Sequence, residues 1–148
     1  MIGPLGFWNH WVGPWCHLEW DRTTYLQCFR MLLERSGAPV APLRYGMTLL
    51  HEVVTMRGHV TDAERVAFAA AALDAGAPAG LRDDTLKSTP LGWASRCGRE
   101  ELVRLFLDRG IDPVERDAEP WATPLAWAEK KGHTGIVSLL RDAVTAYR

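Results

Sequence analysis

The chain is short of most features that would announce a chemistry. No apolar run is long enough to cross a membrane. The apolar start, MIGPLGFWNHWVGPW, lacks basic residues at its beginning and is broken by Gly, Pro, Asn and His, so it reads poorly as a signal peptide. Neither sign of charge is in excess. Seventeen Lys and Arg against 18 Asp and Glu leave −1 over 148 residues, without the concentrated positive field a nucleic acid requires. Cysteines number only three, Cys16, Cys28 and Cys97. An odd count without paired spacing speaks against a disulfide framework and for a reducing, cytoplasmic setting. There is no Gly-rich phosphate loop, no paired-carboxylate signature and no nucleophile–base–orienter set. The expectation is therefore a non-enzyme with no cofactor, no membrane or nucleic-acid partner and no small-molecule substrate.

What is present is a repeat. TPLGWA, Thr89 to Ala94, returns as TPLAWA, Thr123 to Ala128, and the register continues without a gap through Gly98 and Gly132 and through Leu105 and Leu139. An earlier copy, MTLLHEV, carries Thr48, Leu50 and His51. An eroded one is expected from Gly13, which gives unit starts near 13, 48, 89 and 123 in one domain spanning 1–148. Thr89 and Thr123 suit helix N-caps, and Pro90 and Pro124 suit the first helical position, where a missing N–H is harmless. A short helix is expected to stop near Gly98 or Gly132. A second helix then carries Leu102, Val103, Leu105 and Phe106 at helical spacing and ends at Gly110. The 41-residue unit from Thr48 is read as longer because HVTDAERVAFAAAALDAGA extends its second helix, with Thr61 and Glu64 forming a capping box. One helix pair cannot hide its apolar face alone, so the pairs must stack.

These motifs resemble the ankyrin repeat. The likeness is strong over residues 46–143 and weak before Tyr25. It implies an all-α solenoid of about four helix-turn-helix units, with residues 1–24 an atypical aromatic N-terminal cap. The sequence departs from the family pattern at instructive places. His51 matches the family histidine, but Gly92 and Ala126 stand there in the next two units, so the histidine ladder between turns is broken. Trp93 and Trp127 are bulkier than the family residue, and stacked aromatics are expected to replace some of the missing hydrogen bonds. Val144 lies where Gly110 closes the previous unit; with Arg141 and Asp142 it marks a polar C-terminal cap.

The resemblance further implies a protein-binding module using a concave face of inner helices and loop tips. Carried over residue by residue, the inner-helix positions are Thr55 and Met56, Arg96 and Cys97, and Lys130 and Lys131. The loop positions are Arg44 and Tyr45, Thr85 and Leu86, and Glu119, with Trp121 beside it near a finger tip. Arg44, Arg96, Lys130 and Lys131 would make one edge modestly basic; the plainer reading is a solvated charged face. His59 and His133 are expected to make structural hydrogen bonds in Gly-His turns. The N-terminal segment carries the alternatives. Trp8, Trp11, Trp15 and Trp20 fit a cap over the open end of the stack or a partner patch. His10, Cys16, His17 and Glu19 are metal-ligand types without a four-ligand spacing, which keeps a metal-binding or enzymatic site against the first repeat as the rival reading.

Overall fold

A computed structural model describes residues 22–39 and 41–147. Three threonines set its frame. Thr89 Oγ1 accepts the Gly92 N–H and Thr123 Oγ1 the Ala126 N–H, both at 3.2 Å. Thr48 forms a reciprocal cap with His51. Proline fills the first helical position after Thr89 and Thr123. Each cap satisfies a backbone donor that the first helical turn leaves without a partner.

Seven helices follow one another among the described residues, with no strand: α1 (Arg22–Ser36), α2 (Leu49–Thr55), α3 (Asp62–Asp74), α4 (Pro90–Cys97), α5 (Glu100–Asp108), α6 (Pro124–Lys131) and α7 (Thr134–Ala146). A 3-10 turn, Arg44–Gly46, precedes α2. Helices α4 and α6 stop at Gly98 and Gly132, whose φ of +72° and +75° puts them in the left-handed conformation that ends a helix. In α5, Leu102, Val103 and Phe106 are buried while Glu101 and Arg104 face water, so the helix packs by one stripe.

The elements form two layers. Helices α2, α4 and α6 lie side by side, and α1, α3, α5 and α7 lie behind them in the same order. The core runs between the layers as one continuous cluster, through Leu50, Val53, Leu91, Val103, Phe106 and Leu140. At roughly 25 cal/mol per Å² of apolar surface removed from water, that shared seam is the main favourable term holding the stack. The result is an ankyrin-type helical solenoid. Helix α1 is the outer helix of the first unit. Its inner partner, expected from Gly13, lies outside the described residues, as do the N-terminal tryptophans and the His10, Cys16, His17 and Glu19 group.

The long second unit differs from expectation. Helix α3 has 13 residues against nine in α5, but the turn before it also grows, from two residues at Gly98 and Arg99 to six at Met56 to Thr61. Met56 stands at the C-cap, where α4 and α6 have a left-handed glycine, so α2 ends without that tight stop and the chain takes a wider loop. Arg65, 4% exposed, braces that loop from beneath. It donates to the Met56 carbonyl at 2.8 Å and the Val60 carbonyl at 2.6 Å. At the other end, α7 runs past Val144 to Ala146, and Arg141 pairs with Glu129 of α6 at 2.8 Å. Among the described residues no helix is long and apolar enough to cross a membrane.

Candidate partner-binding face

Each inner helix meets the next through the residue before its capping threonine. His51 is fully buried on α2. Its Nδ1 accepts the Thr48 N–H at 2.9 Å, so Nε2 carries the proton and donates to the Ser88 carbonyl at 2.9 Å. One unit on, Gly92 replaces the histidine. A Cβ there would sit 3.1 Å from Ser88 Cβ, because Ser88 itself fills the space. Its hydroxyl lies 3.2 Å from the Ala122 carbonyl, the counterpart of the Ser88 carbonyl, and accepts the Trp127 indole N–H at 2.7 Å. The broken histidine ladder is thus continued by a serine and a tryptophan.

Trp93 and Trp127 serve as donors and not as a stack. Trp93 gives its indole N–H to Asp83 Oδ1 at 3.0 Å. Asp83, 1% exposed, also accepts the backbone N–H groups of Thr85, Leu86 and Ser88 at 2.8–3.0 Å. Burial alone would raise its pKa. The four donors outweigh that, and the carboxylate is held below its ordinary range. Trp93 and Trp127 do not stack on one another. The Arg96 guanidinium lies over both rings, 5.7 and 5.5 Å from their centroids, and Lys130 Nζ lies 5.1 Å from the Trp127 centroid. Trp121, 51% exposed, meets the buried Trp127 edge to face at 6.2 Å.

The fingers are tied in sequence. The Asp84 N–H donates to the Tyr45 carbonyl at 2.7 Å. Arg82 donates from both terminal nitrogens to Asp117 at 2.9 and 3.0 Å. Glu115, buried beneath them, accepts from the Thr89 hydroxyl and lies 3.5 Å from Arg82. Burial raises its pKa despite those two partners.

The structure sorts the sequence-derived candidates. Arg96, Lys130, Lys131 and Trp121 belong to the α4–α6 part of the surface, with Arg96, Lys130 and Trp121 joined through Trp127. Arg44 and Tyr45 are exposed at the first finger, the guanidinium 4.7 Å over the ring. Thr85 is exposed, and Leu86 half-buried, in the turn that Asp83 holds. Glu119 is exposed beside Trp121. Thr55 uses its hydroxyl on the His51 carbonyl at 3.0 Å. Met56 and Cys97 are half-buried, packed in part against the core. His133 Nε2 meets the Arg96 carbonyl at 3.2 Å, as expected of a Gly-His turn. His59 does not: it is exposed in the widened loop, and no hydrogen bond joins its ring to a described residue. Ser88, Asp83, Arg65 and Glu115 were missed. Ser88 and Glu115 find their partners about a unit away, and Arg65 and Asp83 theirs in loops that fold back on them, so a polar residue type is the only signal each leaves in the sequence.

The ankyrin repeat family model matches residues 86–115, the segment from the second finger through α4 and α5 into the next loop. That match, with helix pairs of the same kind stacked on either side of the segment, supports an ankyrin repeat protein. No curated protein matches it. Ankyrin repeats are generally protein–protein interaction modules and generally non-catalytic.

Proposed function

We propose that this protein is a non-catalytic module that binds a partner protein through the concave face of α2, α4 and α6 and the finger tips beside it. The observation that carries the reading is Trp121. Half of a large indole is left in water while its edge is fixed against Trp127, itself pinned by Ser88. A rigid aromatic anchor loses little freedom on binding, and tryptophan is enriched where binding energy concentrates. The odd cysteine count, with Cys28 and Cys97 free thiols, fits work in the cytoplasm.

The test is affinity capture with wild type beside a Trp121→Ala, Lys130→Ala, Lys131→Ala variant, with thermal melting to show that the fold is kept. All three residues are exposed, so the stack should persist. Proteins held by wild type and lost by the variant support this face. Equal retention by both refutes it.

A further inference from the structure

Arginines that reach across from one unit to the next meet carboxylates almost everywhere in this molecule. Arg99 of the third unit pairs with Asp62 at 3.3 Å, Arg109 with Asp74 at 2.6 Å, and Arg82 with Asp117 at 2.9 Å. Arg96 occupies the same kind of place, between α4 and α6, and finds indoles instead. No described carboxylate pairs with Arg96, Lys130 or Lys131. Arg96 Nε is enclosed without a partner, whereas its terminal nitrogens are not among the buried unpartnered atoms and make no hydrogen bond to a described residue. A planar fork held between two rings, with its donor edge unused, is prepared for a carboxylate to be taken by both nitrogens.

The geometry points to an acidic segment of the partner protein, rich in Asp and Glu, as the occupant of the Arg96–Trp127–Lys130 surface. This deepens the reading above and rests on it. Arg96 takes one carboxylate, Lys130 and Lys131 take its neighbours, and Trp121 covers an apolar side chain between them. Nearby acids limit the segment's extent without cancelling it. Glu129 is occupied by Arg141 at 2.8 Å. Glu52, half-buried on α2, takes the repeat position of Trp93 and turns an acidic chain away from the first units. Glu119 is exposed at the finger beside Trp121 and bounds the other side. Three cations on a chain of net charge −1 suit a short acidic peptide and fall short of a nucleic-acid track.

The experiment is fluorescence anisotropy with a short fluorescein-labelled peptide of Asp and Glu with interspersed leucines, beside its Asn and Gln counterpart. The acidic peptide should bind, and the amide peptide should bind at least about tenfold more weakly. Arg96→Gln should weaken the acidic peptide by about tenfold, and so should Lys130→Gln with Lys131→Gln, since charge-assisted bonds are lost in each. Both lysines are exposed, and thermal melting of the variant shows whether the fold is kept. Arg104→Gln, which removes a cation already paired with Glu100, should leave binding unchanged. The assignment is overturned by no binding, by equal binding of the amide peptide, by unchanged binding in the lysine variant, or by a single-stranded DNA that binds as tightly. Failure here with the Trp121 variant still losing protein partners would remove the acidic occupant alone; retention of those partners would remove the face itself.

Discussion

His51 is committed to its neutral form by both ring nitrogens. A second proton on Nδ1 would confront the Thr48 N–H, and the ring is fully buried. Burial lowers its pKa below the ordinary value, and the Ser88 carbonyl and nearby Asp83 recover only part of that shift. The unfolded chain therefore binds this proton more readily than the native one, and stability gained from the neutral ring is full above about pH 6.5 and lost as pH falls below it. The melting temperature of wild type should drop between about pH 7 and pH 5, and His51→Gln should lack that part of the drop. Thermal melts across this range decide it; parallel curves for the two proteins would refute the assignment. Asp83 acts in a lower window: its depressed pKa keeps the carboxylate and its four hydrogen bonds at pH values below the ordinary aspartate pKa of about 3.9, and the stability they give is lost as pH falls from there through the depressed value. Gly92 offers a second test at this scale. Alanine gains about 1 kcal/mol over glycine in an open helix interior. Here its Cβ would press on Ser88, which the Ala122 carbonyl and Trp127 hold in place, so Gly92→Ala should destabilise. Gly135→Ala meets only the end of the Glu100 side chain, which can swing away, and should stabilise. Chemical denaturation of the two variants should give shifts of opposite sign.

At the scale of elements, the widened loop between α2 and α3 depends on one side chain. Arg65 carries charge-assisted bonds to two carbonyls that no helix or glycine turn satisfies. Arg65→Gln should cost about 2–3 kcal/mol, since hydrogen bonds from charged donors are the stronger kind and the carbonyls would be left without partners. It should also open the loop before it unfolds the protein. Limited trypsin digestion should then cut after the exposed Arg57 sooner than in wild type; an unchanged cleavage rate there would show that the loop stands without its brace. The helices themselves were legible because their signals are local: Thr-Pro caps, glycine stops, and apolar residues three and four apart. Arg65 was not, because a basic residue in an Ala-rich helix looks like any solvated one until the loop folds over it. Ser88 and Asp83 were hidden for a related reason. Their bonds to Ala122, Trp127 and Trp93 exist only once neighbouring units are in register. The candidate face was legible as positions but not as chemistry: Met56 and Cys97 stand at the ends of the inner helices, half-buried, with part of each side chain against the core.

For the molecule as a whole, stacking makes stability a matter of neighbours. Helices α4 and α5 have a helix pair on each side, and Leu91, Ala94, Val103 and Phe106 are sealed completely. Helices α6 and α7 have described neighbours on one side alone, with Tyr147 and Ala146 in water at the end of α7. In a one-dimensional stack, opening starts in the unit with the least sealed surface, here α7 with only Ile136 and Leu140 buried, and advances unit by unit. Amide hydrogen exchange should therefore be slowest in α4 and α5 and fastest over Ala143 to Tyr147. Two buried truncations sharpen the expectation. Leu140→Ala removes a fully buried side chain of α7 and should cost about 2–5 kcal/mol, but it should speed exchange chiefly in α6 and α7. Phe106→Ala should cost about 3–5 kcal/mol and speed exchange on both sides of α5, because its ring belongs to the seam shared by the whole stack. Mass-spectrometric exchange on the two variants separates a chain of coupled units from a single cooperative block: in the block, both substitutions would raise exchange everywhere by the same factor, and the description of this protein as stacked, nearest-neighbour units would fail.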